Sequence, residues 1–249
     1  MNFLFTVHPT REQARRIYED LAEYIDSLGG KCVDAPEEAD FSVAVGGDGT
    51  MVSAWRRLDK PLIGINAGTL GYLPRVEPEH AKEAIRAVFD GRYVLEDRMT
   101  LSCRMAGGEE IRALNEAALL HPDPGVLRFS VKVDGTELIS YTADGMIVST
   151  PTGSTGYSLS AGGPIVDPAG EMLILTPIAP HTLVSRPIVL SPQSRVTLES
   201  ESDALIATDG RTRKLPAGVP FDIRRGDKYM RFVSFGRENF ITRLRRKLT

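Results

Sequence analysis

The chain has 249 residues, 42% of them apolar and 25% charged, with a formal net charge of −3. That balance belongs to an ordinary globular protein with one large or two modest cores, and it excludes a disordered or fibrous chain. A mildly negative chain has no overall charge for gripping nucleic acid or an anionic membrane, and no window approaches the roughly 20 apolar residues that cross a bilayer.

The first apolar run, NFLFTV at 2–7, is too short for a signal peptide and reads as a strand. Ile17, Leu21, Tyr24, Ile25 and Leu28 then recur at helical spacing until Gly29-Gly30 stops them. A second run, Phe41 to Val45, meets a glycine turn, after which Met51, Val52, Trp55 and Leu58 suggest a helix face. Leu62 to Ile65 is a third run, and residues 78–90 again look helical through Ala81, Ile85, Val88 and Phe89. Short apolar strands separated by helices predict a small parallel sheet covered on both faces.

Near residues 91–100 the pattern changes. Leu127 to Val133 alternates, Gly135 turns the chain, and Leu138 to Thr142 resumes; further runs lie at 172–176, 186–190, 195–199, 204–208 and 219–223. Their Gly, Pro, Asp and Ser borders predict an antiparallel all-β domain, with one short helix over Ser154 to Ala161. The closing segment, Glu238 to Lys247, sets Phe240, Ile241, Leu244 and Leu248 on one side, which predicts a helix packed back onto a domain with its basic residues solvated. Two cysteines far apart in sequence, Cys32 and Cys103, point to a reducing, cytoplasmic setting, with one disulfide still open. His8, His80, His121 and His181 have no metal-ligand spacing, and His121 and His181 read as structural.

The chemistry gathers at glycine clusters. In AVGGDGTMV, residues 44–52, Asp48 stands among Gly46, Gly47 and Gly49 directly after a strand. Glycines let a ligand approach the backbone, and a helix start adds its positive end, so the turn suits a phosphate. A carboxylate there repels that phosphate unless it has a further duty, such as holding Mg²⁺ or accepting a proton from an attacking hydroxyl. A purely structural strand-to-helix turn is the competing reading. No GxxxxGK[ST] occurs, and no GxGxxG follows the first strand, which leaves two familiar nucleotide folds unsupported. The second cluster, DGMIVSTPTGSTGYS at 144–158, ends in small hydroxyls: Thr152, Ser154, Thr155 and Ser158 can donate to phosphate or ribose oxygens, and Tyr157 offers a ring face or a hydroxyl. A Ser/Thr-capped helix explains part of it. Asn115-Glu116 could clamp a ribose or simply start a strand, and Asp209-Gly210 reads first as a hairpin turn.

Five motifs in this order, GGDGT at 46–50, GINAGTLGYL at 64–73, NEA at 115–117, DGMIVSTPTGSTGYSLSAGGP at 144–164 and PIAPHTLVSRPIV at 177–189, resemble the NAD kinase family over essentially the whole chain. One of them alone would be weak, because lipid kinases and phosphofructokinases carry a similar GGDG turn. The resemblance implies an α/β domain over 1–95, rejoined by a returning tail at 235–249, and an all-β NAD-binding domain over 96–234, with NAD held between them. It implies phosphoryl transfer from ATP or polyphosphate to the 2′-hydroxyl of the adenosine ribose of NAD⁺, with Mg²⁺ or another divalent ion, in a homodimer or homotetramer. No protein metal ligand is assigned.

By the same resemblance Asp48 is the catalytic aspartate, Gly49 and Val52 line the NAD site, and Gly46, Gly47 and Thr50 form the phosphate-binding turn. Tyr72, where relatives usually have Phe, faces the nicotinamide side, as does Asp144. Asn115 and Glu116 grip the adenosine ribose region; Thr152, Thr155, Tyr157 and Ser160 line the pocket; Asp209 is an acid near the second nucleotide. Gly156 stands where Ala is usual, and Thr142-Ala143 precede Asp144 where many bacterial members have a basic residue and Gly. The other classes in view are a lipid or sugar kinase with a GGDG turn, which the 144–164 motif disfavours, and a binding module without turnover, which the charge of Asp48 disfavours.

Overall fold

The computed structural model describes residues 1–68, 71–73, 76–181, 186–236 and 240–248, with Lys247 and Leu248 by backbone alone. Thr69 and Leu70 of the second motif, Thr182 to Ser185 of the fifth, and residues 237–239 and 249 of the tail lie outside the described residues. The chain opens with β1 (Asn2–Val7), α1 (Glu12–Ser27), β2 (Lys31–Val33), β3 (Phe41–Gly46), α2 (Asp48–Arg57), β4 (Leu62–Asn66), α3 (Ala81–Phe89) and β5 (Val94–Arg98). Then come β6 (Leu101–Met105), β7 (Ile111–Ala113), β8 (Glu116–Leu120), β9 (Leu127–Val133), β10 (Thr136–Ala143) and β11 (Gly145–Ser149). A 3₁₀ turn at Thr152–Thr155 and the short α4 (Tyr157–Ser160) precede β12 (Leu173–Ile178), β13 (Ile188–Leu190), β14 (Val196–Ser200), β15 (Ala204–Thr208), β16 (Arg211–Leu215) and β17 (Phe221–Arg225). The chain closes with β18 (Met230–Ser234) and α5 (Phe240–Leu248).

Contacts divide the chain into two compact units, Met1–Asp97 with Met230–Thr249, and Arg98–Tyr229. The first unit holds a six-stranded sheet in the order β2-β1-β3-β4-β18-β5. The pairs β1–β2, β1–β3, β3–β4 and β4–β18 are parallel. Ala14, Leu21 and Ile25 of α1 join Ala81, Ile85 and Val88 of α3 over Phe3, Val43, Val45, Ile63 and Ile65, while Leu4 turns to the opposite face with Ala39 and Leu58. Both faces are therefore apolar, which is why β3 and β4 read as continuous hydrophobic runs rather than alternating ones. Helix α1 stops as its sequence requires: Gly29, at φ 77°, takes the left-handed position, Gly30 N–H donates to Ile25 O at 2.9 Å and Gly29 N–H to Asp26 O at 2.9 Å.

In the tail helix, Phe240 and Leu244 are half-buried, but Ile241, expected on the apolar side, is 64% exposed. One residue advances a helix by about 100°, so 240 and 244 share a line that 241 leaves.

The second unit consists of two six-stranded sheets, β10-β9-β14-β17-β6-β7 and β13-β12-β11-β8-β15-β16. Their pairings are antiparallel throughout. Phe129, Val131, Leu198, Phe221 and Ile223 of one sheet share a single core with Ala117, Leu119, Met146, Val148, Leu175 and Ile206 of the other, as the period-2 runs predict. Every residue of β11 is buried, because residues 150–164 cover its outer face. Cys103 is buried in this core and Cys32 is exposed in the first unit, and both are free thiols. Among the described residues no helix is long and apolar enough to cross a membrane.

Candidate active site

In the first unit β1 leads to β2 on one side of the sheet while β3 leads to β4 on the other. Ligands of open parallel sheets bind where that order reverses, at the carboxyl ends of the strands, and here the GGDGT turn follows β3 at that place. The three glycines do different work. An ideal Cβ on Gly46 would stand 2.3 Å from Thr50 Oγ1, so this glycine lets strand and helix approach, and the Thr50 side chain packs onto it. A Cβ on Gly47 or on Gly49 would meet nothing within 4 Å. The turn is thus open on the side where an anion would lie.

The half-buried Asp48 carboxylate is held by backbone. Oδ2 accepts from Tyr72 N–H at 3.3 Å and Oδ1 from Leu73 N–H at 3.2 Å, both in the loop after β4. Tyr72 contributes its amide here, and its carbonyl accepts from Arg243 of α5 at 3.3 Å. Arg243 also lines a cavity of about 400 Å³ with Glu77, His80, Arg92 and Phe235, away from the glycine turn. Val52 is 6% exposed, a packed residue of α2.

The second unit assembles Asn115, Glu116, Asp144, Gly156 and Tyr157 on and around the outer face of the β8–β11 pair. Glu116 begins β8 and Asn115 directly precedes it, in a segment whose carbonyls are held: Thr150 N–H donates to Asn115 O at 2.9 Å and Thr150 Oγ1 to Leu114 O at 2.7 Å. From the far side, Asp209 receives the N–H groups of Leu114 and Asn115 at 2.8 Å each and of Glu116 at 3.2 Å. Asp209 is a hairpin residue as expected, at φ 44° before Gly210 at φ 79°, but its carboxylate is occupied by the turn that carries the Asn-Glu pair. Asp209→Ala strands these donors, and the expected loss is about 1–3 kcal/mol of unfolding free energy even where water relieves two of them. Urea unfolding of the variant reads it, and an unchanged midpoint would show that the clamp carries no weight.

Glu116 Oε2 would lie 3.4 Å from a Cβ on Gly156, so the methyl usual at that position would sit against this carboxylate. Tyr157 is 40% exposed, and its phenol is pushed above its ordinary range by burial first, then by the charges of Asp144 and Glu116. That coupling brings the two acids and the tyrosine into one neighbourhood. Asp144 is exposed at the corner where the chain passes from β10 in one sheet to β11 in the other. Thr155 is half-buried and Ser160 exposed, while Thr152 is 6% exposed with no partner for its hydroxyl among the described residues.

Two hydroxyls expected to face a ligand do not. Ser154 Oγ accepts from Val166 N–H at 3.0 Å, Ser158 Oγ lies 2.9 Å from Thr176 Oγ1, and both serines are fully buried. They pin the turn to the sheet, which accounts for part of the crowding of small polar residues there. Among the described residues no three His, Cys, Asp or Glu side chains group as a metal site.

Comparison with known proteins places these units. The ATP-NAD kinase N-terminal domain matches residues 2–93 and the ATP-NAD kinase C-terminal domain residues 114–235. The NAD kinase of Geobacter metallireducens is 38% identical over 242 residues, covering 91% of this chain and 84% of the relative. That of Porphyromonas gingivalis is 38% identical over 221 residues, covering 86% and 77%. Among solved structures, yeast NADH kinase complexed with NADH superposes with a TM-score of 0.87 at 25% identity, covering 100% of this chain and 87% of that one. An NAD kinase from Archaeoglobus fulgidus in complex with ATP gives 0.80 at 30% identity, covering 99% and 96%.

Proposed function

The chain belongs to the ATP-NAD kinase family, and from that premise we propose that it transfers the γ-phosphoryl group of ATP, or a phosphoryl group of polyphosphate, to the 2′-hydroxyl of the adenosine ribose of NAD⁺. The products are NADP⁺ and ADP, or a polyphosphate shorter by one phosphoryl unit. The observation that carries the reading is Asp48: a half-buried carboxylate steadied by two backbone N–H groups beside an open glycine turn.

The ribose oxygen attacks the terminal phosphorus, the bond from that phosphorus to the bridging oxygen breaks, and the hydroxyl proton passes to Asp48. A ribose hydroxyl is a weak nucleophile, so the fixed orientation of the carboxylate matters more than its basicity. The donor's phosphates occupy the open side of Gly47 and Gly49 at the start of α2. Among the described residues no cluster of acids cages a divalent ion there, and this fits Mg²⁺ carried mainly on the donor's phosphates. When bound, the ion offsets phosphate charge. In the second unit, Asn115 and Glu116 hold the ribose region, and Asp144 with Tyr157 receives the nicotinamide part.

Incubating the purified protein with NAD⁺, Mg²⁺ and either ATP or polyphosphate, then assaying NADP⁺, tests the reading. Product with at least one donor supports it; none with either overturns it. Glu116→Gln is expected to weaken NAD⁺ about tenfold, the cost of trading a charged acceptor for a neutral one. Titration with NAD⁺ measures this, and unchanged affinity would remove Glu116 from the clamp.

A further inference from the structure

The GGDGT turn carries no Lys or Arg, and the basic residues of α2, Arg56 and Arg57, stand at its far end. A phosphate-binding turn without a cation leaves most of a polyphosphate chain's charge to the metal ion. A candidate comes from the other side of the strand-order reversal. Strand β1 pairs with β3 up to Val7 and Val45, His8 N–H donates to Val45 O at 2.9 Å, and three residues later the chain reaches Arg11. Arg11 Nη1 donates to Ala67 O at 2.8 Å; Ala67 N–H in turn donates to Gly46 O at 3.3 Å. One residue therefore separates the guanidinium from the first glycine of the turn.

The guanidinium also lies against the Gly68 backbone. An ideal Cβ on Gly68 would stand 1.5 Å from Nη1 and 2.6 Å from Cζ, so the group lies where any other residue at 68 would put its side chain. Arg11 is half-buried, and the Ala67 carbonyl is its one side-chain hydrogen-bond partner among the described residues. A guanidinium held by a carbonyl keeps its full charge and the rest of its N–H fork. A surface arginine merely decorating the helix start would be solvated, as Arg15 and Arg16 are with their i,i+4 glutamates.

We propose that Arg11 is a donor-binding residue, the side chain that contacts the phosphoryl oxygens of ATP or polyphosphate at the Gly46–Thr50 turn. This rests on the reading of that turn as the donor's phosphate site. The same position gives Arg11 a steric switch, because Gly68→Ala would push the guanidinium off its seat without changing its charge.

Arg11→Ala is expected to raise the KM for ATP about tenfold or more, as loss of a charge-assisted contact does, with the KM for NAD⁺ and the unfolding midpoint unchanged. Arg11→Lys recovers part of the loss, having the charge without the fork. Gly68→Ala raises the ATP KM in the same direction, and the double variant Gly68→Ala/Arg11→Ala is no worse than Arg11→Ala alone, since both act on one group. Titration calorimetry with inorganic tripolyphosphate, without turnover, gives weaker binding to Arg11→Ala than to wild type. Unchanged ATP KM and tripolyphosphate affinity would overturn the proposal. So would equal rises in both KM values with a lowered unfolding midpoint, which mark a loop tether. If the wild type makes no NADP⁺ the kinase reading fails, while the tripolyphosphate comparison still decides the role of Arg11.

Discussion

Replacing Asp48 with Asn is expected to lower turnover by about 10²- to 10⁴-fold, the usual worth of a positioned general base, with NAD⁺ affinity nearly unchanged. The substitution keeps the shape of the side chain and removes its capacity to take the 2′-hydroxyl proton. One amide oxygen still accepts from the loop after β4, but the new NH₂ faces the other N–H donor, of Tyr72 or Leu73. Asp48 also stands in the first turn of α2, where a carboxylate stabilises the helix by about 0.3–1 kcal/mol. A small drop in stability therefore accompanies the kinetic loss and is too small to cause it. Single-turnover assays with NAD⁺ and donor saturating separate the two, since they read the chemical step on protein that is already folded and loaded. Near-wild-type turnover in a folded Asp48→Asn would remove the aspartate from the chemistry.

The first unit was legible wherever burial is two-sided or strictly helical. The runs at 2–7, 41–45 and 62–65 follow from their continuous apolarity and the faces of α1, α2 and α3 from helical periodicity, because the buried residues of each are placed by the core they must reach. Elements with little to bury were silent. Strand β2 has only three residues and none is buried. Strand β16, RTRKL, is the outer strand of its sheet with four exposed residues in succession, so its sequence follows the needs of an edge and not of a core. Strand β18 looks like one more strand of the all-β domain, yet it pairs with β4, a partner 170 residues earlier at Phe232 and Leu62. Nothing local encodes that return.

The site divides in the same way. Glycine spacing marked the turn around Asp48 and the 144–164 cluster, because open backbone is a local property. What holds those residues was invisible: Asp209 reaches Asn115 across 94 positions, and Arg11 binds a carbonyl that any residue at 67 would supply. The hydroxyls misled for a related reason. Ser154 and Ser158 look in sequence like the half-buried Thr155, and only the sheet beneath them decides which point inward. A motif fixes which groups are present, while long-range hydrogen bonds decide which are available.

The contrast between neighbouring glycines yields the second large effect. Gly47→Val is expected to abolish most phosphorylation in a protein that still folds. Gly47 has φ −100° and ψ −172°, extended backbone that a β-branched residue adopts readily, and a Cβ there meets no atom within 4 Å. Fewer conformations in the unfolded chain even favour the variant slightly. The isopropyl group fills the open side of the turn, where the donor's phosphates would lie; displacing the reacting atoms by about 1 Å costs on the order of 10²-fold in rate. Gly46→Ala behaves in the opposite way. Its methyl collides with Thr50 at 2.3 Å, in a strand–helix contact that cannot open freely, so the expected cost is about 1–3 kcal/mol of stability. Thermal unfolding and NADP⁺ formation measured on both variants separate a residue that leaves room from one that permits packing. A folded Gly47→Val that phosphorylates normally would mean the donor does not lie over this turn, and with it the placement of both Asp48 and Arg11 beside the transferred group would fall.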